Sequence, residues 1–120
     1  MAADEGGDGV LRRLERVIAS RRGDSPDRSY TSRLLTGGVA LTGAKVTEEA
    51  DEFVRAAADE SDGRVVSEAA DLVYHVLVLL ACRGLSFDAV GGELARRFGT
   101  SGLAEKAGRT TGMATDGGRA

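Results

Sequence analysis

The run Val76–Cys82 carries no polar side chain, and it lies inside a longer segment, residues 64–83, that opens at Ser61-Asp62-Gly63 and stops at Gly84. A helix with apolar residues all round is normally buried on every side. The segment is therefore expected to be the central helix of whatever this chain folds into, with glycine in the usual C-terminal capping position. Everything upstream has to supply surfaces that cover it.

The upstream sequence does so in helical periods. Val10, Leu11, Leu14, Val17 and Ile18 form an apolar stripe at three- and four-residue steps, which predicts a first helix over residues 10–22, capped by Asp8 and ended by Gly23. Asp24-Ser-Pro-Asp-Arg-Ser-Tyr-Thr is rich in turn formers and leads into a short helix around Leu34–Leu35, closed by Gly37-Gly38. Residues 39–59 are again helical, and their stripe of Val46, Ala50, Phe53, Val54 and Ala57 is expected to face a core. The break at residues 61–63 makes this helix and the apolar one an antiparallel hairpin. Ser86 and Asp88 start a further helix to about Phe98, weakened by Gly91-Gly92 because glycine costs about 1 kcal/mol relative to alanine in a helix interior. The expected class is all-α, with four to five helices around a central antiparallel hairpin. Residues 1–9 and 99–120, rich in Gly and without periodicity, are expected to be flexible ends flanking a domain over residues 10–98.

Size and charge narrow the partners. A chain of 120 residues buries a modest fraction of its surface, so a second copy is expected to complete the bundle as a homodimer. A net charge of −3 gives no general attraction to nucleic acid or to an anionic membrane. No stretch reads as a bilayer span, and the acidic amino terminus lacks the features of a secretory signal, so a cytoplasmic protein is expected. The single cysteine, Cys82, rules out an intrachain disulfide and a cysteine zinc cluster.

The chemistry lies in the carboxylates. Lys45, Glu48, Glu49 and Glu52 share one face of the third helix, and Glu68 and Asp71 stand three apart on the fourth. Such pairs are usually solvated. Here the face that begins with Glu68 and Asp71 continues through His75, Val78 and Cys82 into the apolar run, so these carboxylates point into the core. Carboxylates withdrawn from water become protonated or find cations. All-oxygen ligands suit Mg²⁺ or Mn²⁺, and Mg²⁺ held by few carboxylates usually shares its coordination with substrate phosphates. The chain has no phosphate-binding loop of the Walker type and no Ser/His/Asp signature. Phosphate-ester or phosphoanhydride hydrolysis is the reading that remains.

Lys45-Val-Thr-Glu-Glu-Ala-Asp-Glu52, followed by Glu68-Ala-Ala-Asp-Leu-Val-Tyr-His75, resembles the paired acidic motifs of the all-α MazG-like nucleotide pyrophosphohydrolases. Ser29-Tyr-Thr-Ser-Arg-Leu-Leu35 and the segment through Val76-Leu-Val-Leu-Leu-Ala-Cys-Arg-Gly-Leu-Ser86 resemble, within them, the phosphoribosyl-ATP pyrophosphatase family of histidine biosynthesis. The resemblance implies a homodimeric helical fold and hydrolysis of phosphoribosyl-ATP to phosphoribosyl-AMP and pyrophosphate. It implies metal ligation by Glu49, Glu52, Glu68 and Asp71, a general base or second-metal role for Glu48, and substrate contacts from Lys45, Ser29, Tyr30, Thr31, Arg33 and His75. Thr47, where the family usually has glycine, and Ala44, where it usually has glutamine, leave open a MazG-like enzyme acting on other nucleoside triphosphates. A non-catalytic helical dimerisation module is the alternative from another class. The arginines of the first helix, Arg21 and Arg22 among them, read as a solvated face.

Overall fold

The computed structural model describes residues 6–98, and among these every regular element is a helix: α1 (Gly7–Ser20), α2 (Tyr30–Asp59), α3 (Asp62–Cys82) and α4 (Phe87–Arg97). Two compact units divide at Phe87 and Asp88. The first holds α1 to α3 and the core; the second holds the body of α4. The expected tail, residues 99–120, and the first five residues lie outside the described part.

α1 starts at Gly7, earlier than the expected Val10, with Gly6 in extended conformation as its N-cap, so Asp8 lies within the first turn and is not the cap. Glycine tolerates that cap position almost as well as the polar capping residues. The short helix and the long one that the sequence separates are the two arms of α2, joined at Gly38, which has φ 72° and ψ −158°. Only glycine adopts that backbone without strain. A Cβ on Gly37 would lie 2.7 Å from Leu41 Cβ, so both glycines are dictated by the tightness of this reversal. The arms are pinned together where Thr42 Oγ1, fully buried, donates to the Leu34 carbonyl at 2.9 Å.

The reversal explains how α2 meets α3 twice. In the first arm, Tyr30 bonds His75 and Thr31 bonds Tyr74. In the second, Thr42 lies beside Cys82 while Glu49 approaches Glu68 and Asp71, so this arm and α3 run antiparallel. Ser61 caps α3 by accepting from Arg64 N–H, and Gly84, with φ 72°, ends it as expected.

Ile18, Leu34, Leu77 and Val78 form the core, with Leu11, Leu14, Leu35, Tyr74, Leu80, Ala81 and Phe87 packed around them. Phe87 N–H donates to the Glu15 carboxylate at 2.7 Å, tying the end of this unit back to α1.

The run Val76–Cys82 is buried or half-buried throughout, as its composition predicts. The α2 stripe meets its expectation only in part: Val46, Ala50 and Phe53 are half-buried, whereas Ala57 is exposed, Val54 is 63% exposed, and the fully buried positions of this arm are Thr42, Glu49 and Ala56, seven residues apart. On α3, ahead of the apolar run, Val66 is 68% exposed and Val73 38%. Seven-residue spacing keeps one seam facing the neighbouring helix, and in this hairpin that seam is polar while valines face outward. α3 also meets the length and composition of a membrane span, contrary to the sequence expectation, although Glu68, His75, Leu77 and Val78 on it are packed inside the protein.

Candidate active site

The polar seam gathers carboxylates from both helices of the hairpin. Oxygen atoms of Glu48, Glu49 and Glu52 lie within 4.8 Å of one another, and so do those of Glu49, Glu68 and Asp71. Glu49 belongs to both groups and is buried, as is Glu68; Glu48, Glu52 and Asp71 are at the open side. All five acidic residues singled out from spacing therefore converge on one place.

The local reasons are simple. Glu52 lies one turn after the adjacent pair Glu48 and Glu49 on α2, and Asp71 one turn after Glu68 on α3, so each helix gathers its carboxylates toward one side. Two helix faces meeting antiparallel then double the density of negative charge. The protein counters it with two cations. Lys45 Nζ lies 3.2 Å from Glu48 Oε1 and 3.7 Å from Glu49 Oε2, while Arg64 Nη2 bonds Glu68 Oε2 and its Nε lies 3.2 Å from Glu60 Oε1.

Compensation is incomplete. Glu68 Oε1 is buried with no hydrogen-bond partner, an arrangement that costs about 1–3 kcal/mol for a neutral group and more for a charged one. Repulsion from Glu49 is the main cause that holds the Glu52 carboxyl above the ordinary carboxylate range, with Glu68 and Glu48 adding to it. The hydrogen bond to Glu48 is the main cause that raises the Lys45 ammonium. A hard cation would satisfy this set: its donors are all carboxylate oxygens, they come from two rigid helices, and one buried oxygen is left over.

Tyr30 and His75 join this cluster to the chain before α2. His75 is buried, and its Nδ1 lies 2.7 Å from the Asp71 carbonyl, which can only accept. Nδ1 therefore carries the proton, and in the neutral ring Nε2 accepts from the Tyr30 hydroxyl at 2.9 Å. These two bonds make His75 a strut that fixes the backbone at Asp71. Tyr30, Tyr74 and His75 pack as an aromatic cluster, with Tyr74 and His75 edge to face at 4.8 Å. Burial is the first cause that raises the Tyr30 phenol, partly offset by Lys45.

The loop segment supplies the rest. Ser29 Oγ accepts from Ser32 N–H and so caps α2, and Ser32, itself buried, donates to the Asp24 carbonyl. Arg33 Nε donates to the Pro26 carbonyl at 3.4 Å, bracing the loop. Ser29, Tyr30 and Thr31 line a cleft of about 560 Å³ together with Arg21, Asp24, Ser25 and Arg28. Arg21 was read from the sequence as part of a solvated face and Arg28 was not singled out, because α1 and its loop hold many arginines and periodicity does not say which of them line one cleft.

Residues 11–98 match the family model described as phosphoribosyl-ATP pyrophosphohydrolase. A phosphoribosyl-ATP pyrophosphatase of Trichlorobacter lovleyi is 54% identical over 83% of this chain and 93% of its own length, and that of Rhodopirellula baltica is 50% identical over 82% and 85%. The histidine biosynthesis bifunctional protein HisIE of Wolinella succinogenes is 47% identical over 82% of this chain but only 43% of its own length, so the similarity is confined to one part of that longer protein. With a family model covering most of the chain and relatives at about half identity along nearly their whole length, the chain belongs to the phosphoribosyl-ATP pyrophosphohydrolase family.

Proposed function

We propose that this protein hydrolyses phosphoribosyl-ATP between the α and β phosphates, releasing phosphoribosyl-AMP and pyrophosphate in histidine biosynthesis, with Mg²⁺ at the α2–α3 carboxylates. The observation that carries the reading is the buried, unpartnered Glu68 Oε1 inside a cluster of Glu48, Glu49, Glu52 and Asp71. A structural ion-pair network would pair its buried oxygens; a cation site leaves them aimed inward.

Glu49, Glu52, Glu68 and Asp71 would hold the ion, Mn²⁺ being an alternative of the same ligand preference. When bound, the cation supplies neutralisation of the phosphate chain, whose charge grows on the leaving side during hydrolysis. The remaining chemistry belongs to the chain. A water oxygen forms a bond to the α phosphorus as the bond to the α–β bridging oxygen breaks, and pyrophosphate leaves with that oxygen. Glu48, exposed beside the buried pair, is positioned to accept the proton from the attacking water. Lys45, one turn before it, offers its ammonium to the phosphate chain and pairs with both Glu48 and Glu49. Phosphoanhydride hydrolysis demands positioning and electrostatic stabilisation more than covalent participation, and rigid helices provide both. Ser29, Tyr30, Thr31 and Arg33, on the loop and first turn of α2, and His75, through Tyr30, would position the substrate.

The outward valines of the hairpin, Val54, Val66 and Val73, support a homodimer in which a second copy covers them. The α2 stripe and the outer face of α3 would then enter a shared bundle, in a cytoplasmic enzyme with no membrane or nucleic-acid partner. Sedimentation of the pure protein tests this: a dimer is expected, and a monomer at micromolar concentration contradicts it.

The activity is tested by incubating the pure protein and Mg²⁺ with phosphoribosyl-ATP, and separately with common nucleoside triphosphates, and assaying pyrophosphate. Release from phosphoribosyl-ATP alone is expected. Release from triphosphates alone would make the protein a nucleotide pyrophosphohydrolase of different selectivity.

A further inference from the structure

The cleft beside α2 has a composition that the hydrolytic chemistry does not use. Arg21 at the C-cap of α1 and Arg28 in the following loop face it, with Asp24, Ser25, Ser29, Tyr30 and Thr31 completing the wall. Among the described residues neither Arg21 nor Arg28 forms a salt bridge, even though Asp24 lines the same space. Two guanidinium groups offer the planar, multiple donors that recognise a phosphate. The first N–H groups of α2 add to the positive side, since the start of a helix carries donors that no earlier turn satisfies, that of Ser32 being taken by Ser29 Oγ. Asp24 would oppose a bare phosphate. It is, however, the acceptor that ribose hydroxyls need, as acidic residues beside phosphate sites show elsewhere. Phosphate donors and a hydroxyl acceptor in one cleft describe a sugar phosphate. Its volume of about 560 Å³ lies within the usual range of small-ligand sites.

The cleft is also connected to the acidic cluster. Tyr30 lines it, and the hydroxyl of the same residue reaches His75, which holds the Asp71 backbone. Tyr30 is thus the residue shared between the cleft and the chain of bonds that ends at the acidic cluster.

We propose that Arg21, Asp24 and Arg28 bind the ribose 5-phosphate moiety at the end of the substrate remote from the scissile anhydride, and so distinguish phosphoribosyl-ATP from ATP. This rests on the activity proposed above. Arg21 and Arg28 hold the terminal phosphate, and Asp24 accepts from the hydroxyls of the ribose that carries it. Ordinary nucleoside triphosphates lack that group and leave the cleft empty, so they forgo its binding energy.

The test pairs enzyme variants with a trimmed substrate. Arg21→Ala, Arg28→Ala and Asp24→Asn are assayed with phosphoribosyl-ATP and with the same compound stripped of its ribose 5′-phosphate. Loss of a charge-assisted contact predicts a rise in KM of about 10- to 100-fold for each arginine variant on the full substrate, with kcat changed much less. On the trimmed substrate the effect of the arginine variants should shrink below about threefold, because the partner is already gone and the two deletions are not additive. Arg28→Lys should recover part of the loss, and an unchanged Tm would show that the variants are folded. Equal losses on both substrates would overturn the inference, since the arginines would then serve the phosphate chain common to both. No loss on either would overturn it as well. A wild-type protein that fails to hydrolyse phosphoribosyl-ATP would sink the activity itself, a result visible before any variant is made.

Discussion

Two groups of carboxylates on helices of this protein have opposite fates. On α4, Glu93 lies in reach of both Arg96, at 2.6 Å, and Arg97, at 3.0 Å, and these hydrogen bonds lower its carboxyl from 4.5 to about 2. Between α2 and α3, five carboxylates share Lys45 and Arg64, Glu52 is pushed upward by its neighbours, and Glu68 keeps a buried oxygen with no partner. The first is a solvated helix face whose charges are matched along the same helix. The second exists because two helices bring like charges together, which folding alone would not favour. The difference separates an acidic surface whose charges are matched from a cluster whose charge is left uncompensated.

The largest expected effect falls on catalysis. Glu49→Gln and Asp71→Asn should each lower the rate of pyrophosphate release by about 10³-fold, since losing a ligand forfeits several kcal/mol of charge stabilisation. Glu93→Gln, by contrast, should change the rate by less than about twofold. Near-normal turnover in both ligand variants would erase the contrast between the two regions.

A smaller effect concerns the strut behind the cluster. Tyr30→Phe removes the donor to His75 Nε2 and leaves a buried acceptor unsatisfied, at a cost of about 1–2 kcal/mol. For a domain of this size each kcal/mol lowers Tm by roughly 4–8 °C, measurable by circular dichroism. An unchanged Tm would show that water replaces the phenol.

How much of this was readable beforehand follows from what periodicity encodes. Gly37-Gly38 announced the reversal inside α2, and Ser61 and Gly84 bounded α3, because backbone conformation at these points depends on local residue type. Glu68 and Asp71 were readable because their face leads into Val76–Cys82. Glu49 was readable only as one of the carboxylates sharing a face with Glu48 and Glu52; its burial was not, because the seam it shares with Thr42 and Ala56 carries no large apolar residue. Val54 misled, because an apolar stripe states that something covers it and not whether the cover is the same chain. The shared cleft of Arg21 and Arg28 was unreadable: it lies along a loop whose path is set by Ser32 bonding the Asp24 carbonyl and Arg33 reaching Pro26.

The smallest effect belongs to α4. Because the Glu93 carboxyl is lower in the folded state than its ordinary value of 4.5, the stabilisation it brings is complete above that pH and is lost as pH falls toward 2. Glu93→Gln should lack this step in an acid titration followed by helix content. Since the side chain is nearly half exposed, the change should be slight and fade with added salt.

The central claim, that the α2–α3 carboxylates form a cation site, is tested most directly by thermal unfolding of wild type and Glu49→Gln with and without Mg²⁺. Without the ion, the variant should melt at or above the wild-type temperature, since one repelling charge is gone. With Mg²⁺ at about 100 times its dissociation constant, wild type should gain about 2.7 kcal/mol and overtake a variant that gains little. Equal stabilisation of both proteins by Mg²⁺ would contradict the account.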